Sequence, residues 1–248
     1  MSAQRLPPGP QPPRAVQQLR LRYAKRGRMR FCSTRDFQRA LERALRRAAI
    51  PMAYSAGFHP HPKISYANAA PTGAASQAEY VELALAEQVD PATLCHRLTD
   101  ALPDGLDVLE AVEAAPGSLA DRLEGSEWLL EFPGEDHDRL REACEAFLRM
   151  RTCEVTRTFK NGPRTFDARA AVLVMDIWED PDRSCVILRL VVRHTTPSVR
   201  PDDVLTALRD RVAFAARTPP LITRLAQGPL GATGVGDPLA IDRDVTGR

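Results

Sequence analysis

The sequence predicts an α+β protein built from two tandem ferredoxin-like (βαββαβ) domains. Segments with the 3.6-residue periodicity of helices alternate with segments whose apolar residues recur at every second position. The order strand, helix, strand, strand, helix, strand occurs twice, and this is the split β-α-β arrangement. The two halves share this pattern but negligible sequence identity, so the repeat is one of structure.

The first domain is predicted to cover residues 16–115. Its opening segment, "VQQLRLRYAKRG", alternates apolar and basic residues and predicts a half-buried strand. Ser33 and Asp36 have the spacing of a capping box, and Pro51 is placed to end the helix that follows. That helix carries apolar residues on one face and arginines mainly on the other.

The rest of this domain contains further strands and a second helix. "AEYVELAL" alternates, Asp90-Pro91 supplies an N-cap followed by a proline at the first helical position, and "LDVLEAVEA" predicts the closing strand. Short strand-like pieces flank His59-Pro60-His61-Pro62-Lys63. We call residues 54–63 the His-Pro loop.

The second domain is predicted to cover residues 127–229, after a linker at 116–126. "EWLLEF" and "SCVILRLVVRH" predict strands, while His137–Arg151 and the segment from Pro201 predict helices. "CEVTRTF" and "ARAAVLVMDIWE" predict strands on either side of a turn at Asn161-Gly162-Pro163.

The two ends of the chain are expected to lie outside the folded domains. Residues 1–15 are rich in proline and predict a disordered tail, and residues 230–248 are rich in glycine and predict a flexible one. The N-terminus lacks the apolar region of a secretory signal, and no apolar run reaches the ~18 residues that span a bilayer. We therefore expect a cytoplasmic protein.

The motifs that mark common enzymes and metal sites are missing from this sequence. Its five cysteines contain no CxxC pair, which argues against a zinc ribbon or a thioredoxin-type site. No GxxxxGK[ST], GxGxxG, GxSxG or HExxH motif occurs. On motifs alone, the chain is a binding protein with no assigned catalytic or metal-binding residue.

The charge is distributed unevenly along the chain. The formal net charge is +2, yet residues 1–66 contain 14 Lys and Arg against two acids, and the remainder has a net charge of about −10. Such an asymmetry is typical of a region that contacts a polyanion. The alternatives are a solvated basic face or one that docks on an acidic protein partner.

Four interpretations of the His-Pro loop follow from its composition. His59 and His61 point the same way in an extended chain and could share a metal ion, although no further ligands accompany them. The two histidines could act as acid and base on RNA, and the predicted tandem architecture resembles that of the CRISPR repeat-processing endoribonucleases. Pro60 and Pro62 could simply stiffen the connection. Aromatic residues beside arginines suit RNA bases and phosphates best.

The candidate nucleic-acid-binding residues are the basic residues of the first strand and helix together with aromatic and basic residues of the His-Pro loop. They are Arg20, Arg22, Lys25, Arg28, Arg30, Arg43, Arg46, Arg47, Tyr54, Phe58, His59, His61 and Lys63.

The stretch from Arg22 to Tyr80 resembles a bacterial family of radical-SAM-associated proteins of unknown function. The family pattern is Y-x-K-x-G-x-x-R-F, paired basic residues in a helix, P-x-x-Y-S-x-G-F-x-P-H-P-K-I-S and G-x-x-S-x-x-E-Y. The matching residues are Tyr23, Lys25, Gly27, Arg30, Phe31, Arg46, Arg47, Pro51, Tyr54, Ser55, Gly57, Phe58, Pro60, His61, Pro62, Lys63, Ile64, Ser65, Gly73, Ser76, Glu79 and Tyr80.

The resemblance implies a partner rather than an activity. Members of the family are fused to, or encoded beside, a cobalamin-binding radical SAM protein. That partner is expected to hold the [4Fe–4S] cluster, S-adenosylmethionine and cobalamin. This chain has no CxxxCxxC triplet and is expected to hold no cofactor of its own. It would present an RNA, such as tRNA or rRNA, to the partner. The alternatives are a stand-alone endoribonuclease and a protein–protein adaptor.

Overall fold

The computed structural model describes residues 13–246 apart from Gly57 and Thr233. Over these residues the protein has a mixed α+β fold. Most of the N-terminal tail predicted at 1–15 lies outside the described residues, and residues 13–15 form no helix or strand. No helix in the described part of the chain is both long enough and apolar enough to cross a bilayer.

The chain divides into two compact units. The first consists of Met1–Ala120 together with Leu239–Arg248, and the second consists of Asp121–Pro238. The C-terminal segment therefore belongs to the first unit. The segment predicted as a linker contains two buried leucines, Leu119 and Leu123, and a short 3-10 turn between them.

The first unit opens with the predicted order of strand, helix, strand, strand, helix, strand. The elements are β1 (Gln17–Lys25), α1 (Thr34–Arg47), β2 (Ile64–Ala67), β3 (Ala75–Leu85), α2 (Pro91–Ala101) and β4 (Leu106–Glu113). Their strands pair antiparallel in the order β4-β1-β3-β2. The register places Leu21 of β1 opposite Val81 of β3 and Ala111 of β4.

Apolar residues of β1, β3 and the two helices form the core of this unit. Its central side chains are leucines with at most 2% of their surface exposed. They are Leu19, Leu21, Leu41, Leu45, Leu83, Leu85, Leu94 and Leu98. Burying each contributes about 1.5–3 kcal/mol. The apolar face of α1 packs against this core, so the arginines on the opposite face of the helix are exposed to solvent.

The predicted helix starts are confirmed by side-chain caps. Ser33 Oγ accepts a hydrogen bond from the Asp36 N–H at 3.2 Å and donates to Asp36 Oδ2 at 2.7 Å. Asp90 Oδ2 accepts from the Thr93 N–H at 2.8 Å at the start of α2. These bonds satisfy amide groups that have no partner within the helix.

The second unit contains a four-stranded antiparallel sheet in the order β10-β5-β9-β8. Its elements are β5 (Gly125–Pro133), α3 (His137–Arg149), β6 (Glu154–Phe159), β7 (Gly162–Asp167), β8 (Val172–Asp180), β9 (Cys185–Arg193), α4 (Pro201–Val212), β10 (Leu221–Gly228), β11 (Leu230–Gly231) and β12 (Gly234–Val235). The strands β6 and β7 form a separate hairpin.

The strand β7 was not predicted, and β8 begins at Val172 rather than at the predicted Ala168. Gly162, with a φ of +101°, closes the β6–β7 hairpin, so the chain turns back at once into a second strand. Asp167 Oδ1 then accepts from the N–H groups of Cys153 and Arg169 at 2.8 and 2.9 Å. These bonds end β7 and start a 3-10 turn at Arg169–Ala171 before β8 begins.

The C-terminal segment, predicted as a flexible tail at 230–248, is structured over its described residues. It continues after β12 into α5 (Ala240–Thr246), which packs on β4. Leu239 and Asp242 are fully buried. The Asp242 carboxylate accepts hydrogen bonds from Arg20 Nη1 at 2.6 Å and from the Ala115 N–H at 2.8 Å. The glycine-rich composition of residues 230–248 gave no indication of these long-range contacts.

Candidate nucleic-acid interface

The outward face of α1 carries a row of exposed arginines. Arg35, Arg39, Arg43 and Arg46 follow one another at intervals of three or four residues, and we call them the arginine stripe. Such spacing places consecutive side chains on the same face, with a rise of about 6 Å for each four-residue step. The stripe therefore presents a line of positive charge along the helix.

No carboxylate within the described residues forms an ion pair with the arginine stripe. Like charges at i,i+4 destabilise a helix by about 0.2–0.5 kcal/mol per pair. The stripe contains two such pairs, Arg35 with Arg39 and Arg39 with Arg43. An anion bound along this face would relieve that repulsion.

Arg35 and Arg39 were missing from the predicted site, although the helical spacing alone could have revealed them. Arg43 and Arg46 are exposed as predicted. Arg47 is also exposed, but its Nη2 donates a hydrogen bond to the Ala101 carbonyl at the end of α2. The predicted set thus contains two of the four arginines on this exposed helix face and omits the other two.

The His-Pro loop is held in place by backbone hydrogen bonds at its base. The Ser55 N–H donates to the His61 carbonyl at 2.9 Å, and the His61 N–H donates to Ser55 Oγ at 3.0 Å. The Lys63 N–H donates to the Ala53 carbonyl at 2.8 Å. These bonds form a narrow antiparallel ribbon that leaves the side chains of His59, His61 and Lys63 exposed.

Exposed aromatic rings accompany the basic residues of this unit. Phe58 of the His-Pro loop is 62% exposed, and Tyr54 is 37% exposed. Phe31, between β1 and α1, is 67% exposed and was not among the predicted site residues. Its position next to Arg28 and Arg30 in the sequence could have revealed it. Exposed rings of this kind are suited to stacking with unpaired bases.

Two predicted contact residues are buried, and their assignment to the nucleic-acid surface is wrong. Arg20 is 1% exposed and bonds Glu82 at 2.8 Å as well as Asp242. Lys25 is 4% exposed, and its Nζ donates to the carbonyls of Ala70 and Pro71 at 3.3 and 3.2 Å. Both lie on β1. Alternation placed Arg20 on the second face of this strand but did not indicate what covers that face, and the register of β1 with β3 shifts between Tyr23 and Lys25.

Two further basic residues are half-buried and bind backbone carbonyls. Arg22 Nε donates to the Gln77 carbonyl at 2.8 Å, and Arg30 Nε donates to the Gly73 carbonyl at 2.7 Å. Arg28 is exposed. Part of each half-buried guanidinium is thus engaged in holding the chain, while Arg28 projects freely.

Two concave regions flank α1. An open groove of about 680 Å³ lies between the C-terminal ends of α1 and α2 and is lined by Arg43, Arg47 and Asp100. A smaller cavity of about 150 Å³ lies between α1 and the His-Pro loop, with Glu42 and Arg46 at its edge. Both concave regions contain members of the arginine stripe.

A buried phenol lies close to the acidic residue of the smaller cavity. The Tyr66 hydroxyl is buried without a hydrogen-bond partner among the described residues. Burial, and then the charge on Glu42, raise the pKa of Tyr66 to about 12. The phenol is therefore neutral at physiological pH.

The second unit contains a buried serine–histidine pair. Ser126 Oγ and His194 Nε2 are hydrogen-bonded, and His194 Nδ1 lies 2.7 Å from the Leu123 carbonyl. Burial lowers the pKa of His194, and the charge on Arg224 adds to this effect. This pair resembles a nucleophile and its base. Ser126 is only 2% exposed, however, so a substrate does not reach it in this conformation.

Among residues 13–246, with Gly57 and Thr233 excepted, no three His, Cys, Asp or Glu side chains are grouped so as to hold a metal ion.

Comparisons with known proteins give likenesses to solved structures and a match to a family. The chain has 12% sequence identity and a TM-score of 0.45 to a structure titled "Crystal Structure of a Cbf5-Nop10-Gar1 Complex". The alignment covers 86% of this chain and 50% of that chain, so this chain spans about half of its length. No curated protein sequence matches. A family described as "Uncharacterized protein conserved in bacteria (DUF2344)" matches residues 18–201, and since this is well over half of the chain, the chain belongs to that family.

Proposed function

We propose that this protein binds RNA through its arginine stripe and His-Pro loop, and that it positions the RNA for a cobalamin-dependent radical SAM partner. The observation that carries the RNA-binding part is the arginine stripe, which has no carboxylate partner among the described residues. Exposed Tyr54 and Phe58 in the same unit supply stacking surfaces. Guanidinium groups for phosphates and rings for bases form the combination that single-stranded RNA requires.

The radical SAM part of the proposal rests on the resemblance of residues 22–80 to radical-SAM-associated proteins. In this arrangement the partner holds the [4Fe–4S] cluster, S-adenosylmethionine and cobalamin. The present chain binds the RNA backbone and fixes which nucleotide reaches the partner. Its location with the partner would be the cytoplasm.

We also infer that each unit has the ferredoxin-like topology. The strand order β4-β1-β3-β2 of the first unit and β10-β5-β9-β8 of the second support this inference. In each unit, numbering its own sheet strands from one to four gives the order 4-1-3-2. The antiparallel pairing also matches the βαββαβ pattern, as do the positions of α1 and α2 in the first unit and of α3 and α4 in the second.

The test is a salt titration of RNA binding by fluorescence anisotropy, with a tRNA and a single-stranded rRNA fragment as probes. If arginines contact phosphates, log K should fall linearly with log salt concentration. Replacing Arg39 and Arg43 by Ala should weaken binding and reduce the magnitude of the slope. The matched control is Arg141→Ala in α3, because that arginine is already paired with Asp138 and Glu145.

Three outcomes separate the candidate functions. Salt-dependent binding that weakens in the stripe variant supports the proposal. The absence of binding to either RNA at low salt would contradict it and favour a protein–protein adaptor. A defined RNA cleavage product formed by the isolated chain would favour the endoribonuclease instead. Co-purification with the radical SAM protein, checked by mass spectrometry, tests the partner separately.

A further inference from the structure

The cavity between α1 and the His-Pro loop has an apolar floor. Leu45, Ile50 and Met52 line it, and each has at most 7% of its surface exposed. The ring of Tyr54 and the imidazole of His61 also line the cavity. A flat ring that enters would thus exchange water for apolar and aromatic surfaces on several sides.

The size of the cavity fits a single six-membered ring. Its volume is about 150 Å³, close to the ~150 Å³ of an engineered protein cavity that binds benzene. A pyrimidine base has one such ring, whereas a purine has two fused rings. The cavity therefore accommodates a pyrimidine more completely than a purine.

The edge of the cavity offers one acceptor and one donor. Glu42 and Arg46 line it from positions one helical turn apart, and they form no ion pair with each other. The Glu42 carboxylate can accept from an amine, and the Arg46 guanidinium can donate to a carbonyl oxygen or ring nitrogen. Cytosine presents an amine beside two acceptors. Uracil presents a single N–H flanked by two carbonyl oxygens, and these oxygens repel a carboxylate.

The position of the cavity also favours a nucleotide over other flat ligands. Arg46 belongs both to the cavity edge and to the arginine stripe. A phosphodiester lying along the stripe would therefore bring its base next to the opening. The loop that forms the opposite wall is held by the Ser55–His61 hydrogen bonds, so the cavity exists before RNA binds.

We propose that this cavity binds one unstacked cytosine of the RNA, with Glu42 accepting from the exocyclic amine and Arg46 donating to the acceptors of the same edge. The inference rests on the proposed RNA binding and deepens it by naming the base. It makes Glu42 a specificity-determining residue and leaves the remaining arginines of the stripe as phosphate contacts.

The test compares single-stranded oligoadenylates that carry a central cytosine, uracil or adenine, with binding measured by fluorescence anisotropy at low salt. Cytosine should bind about 5- to 100-fold more tightly than uracil or adenine, as expected for a pair of well-placed polar contacts to one base. Glu42→Ala should reduce the cytosine-to-uracil ratio to near one while the salt slope stays unchanged, and part of the preference over adenine should remain because it comes from the size of the cavity. Arg39→Ala, outside the cavity, should weaken all three oligonucleotides equally and leave the ratio intact.

The outcomes distinguish this inference from the proposed function. Equal binding of the three oligonucleotides by the unmodified protein would overturn the cytosine cavity and leave RNA binding standing. No binding of any oligonucleotide would overturn both. Retention of the full preference for cytosine over uracil in Glu42→Ala, with circular dichroism showing a folded protein, would place the base elsewhere. The comparison on the unmodified protein decides the question even if the variant fails to fold.

Discussion

Arg47 and Arg97 cap each other's helices. Arg47 Nη2 donates to the Ala101 carbonyl at the end of α2, and Arg97 Nη2 donates to the Ala48 and Ala49 carbonyls at the end of α1, the latter at 3.1 Å. The final carbonyls of a helix lack internal partners, and positive charge there is favourable. This reciprocal arrangement fixes α1 against α2 and thereby fixes the direction in which the arginine stripe points.

Removing one of these caps should lower the stability of the protein. We expect Arg97→Ala to reduce the free energy of unfolding by about 1–3 kcal/mol, because two carbonyls lose a charged donor. Urea denaturation followed by circular dichroism measures this change. Arg39→Ala, with no cap to lose, is the control and should not lower stability, because it removes two like-charge pairs that each cost about 0.2–0.5 kcal/mol. A larger loss in the control than in Arg97→Ala would contradict the assignment.

Two arginines of the stripe that do not line the cavity should account for part of the salt dependence of RNA binding. Replacing Arg35 and Arg43 by Ala removes two phosphate contacts, and each contact contributes about 0.7 to the slope for a single strand. We expect the slope to decrease in magnitude by about 1.4. Anisotropy titrations over a range of salt concentrations measure it. An unchanged slope would exclude these two residues from the phosphate-binding surface.

The buried ion pair between Arg20 and Asp242 should be costly to break from one side. Asp242→Ala leaves the Arg20 guanidinium buried with Glu82 as its only remaining carboxylate among the described residues. We expect a loss of about 3–5 kcal/mol in the free energy of unfolding. The double variant Arg20→Met, Asp242→Leu should recover most of it, because apolar residues of similar volume can replace a buried pair. Chemical denaturation of both variants provides the comparison.

The buried histidine of the second unit should make stability depend on pH. Burial lowers the pKa of His194, so the unfolded chain takes up the proton first as pH falls below its ordinary value of about 6.5. Stability is then fully present above about pH 6.5 and decreases as pH falls toward the folded pKa, by at most about 1.4 kcal/mol per pH unit. Urea titrations at several pH values measure this.

Two histidine variants separate this contribution from that of other groups. His194→Asn should flatten the decrease below pH 6.5, since the titrating group is gone. His96→Asn, an exposed histidine of α2, should leave the pH profile unchanged. If His194→Asn retained the full decrease, another group would be responsible for it.

Local patterns were enough to predict most of the elements of the first unit. Alternation marked β1 and β3, and the caps at Ser33 and Asp90 marked the starts of both helices, because these signals act over a few residues. The burial of Arg20 is different, since Asp242 lies 222 positions away along the chain. A polar residue on the second face of a strand looks the same in sequence whether solvent or a distant helix covers it.

The candidate site also contains features that local sequence patterns reveal and features that depend on long-range contacts. Arg43 and Arg46 were predictable because the periodicity of α1 identifies its outward face. The cavity was not predictable, because Glu42 lines it from α1 and His61 lines it from the His-Pro loop. The contact between these two elements does not follow from the pattern of either segment alone. Arg35 and Phe31 were predictable in principle, since each follows from its immediate neighbours, and were missed.

The return of α5 to the first unit has a consequence for the order of folding. A growing polypeptide emerges from the ribosome starting at its N-terminus, so β1 is available long before Asp242 has been synthesised. Until then Glu82 is the carboxylate partner left to Arg20 among the described residues, and the Ala115 amide lacks its acceptor. The second unit, Asp121–Pro238, is synthesised before this contact can form. The first unit therefore begins to fold before the second unit and acquires its buried Arg20–Asp242 ion pair only after it.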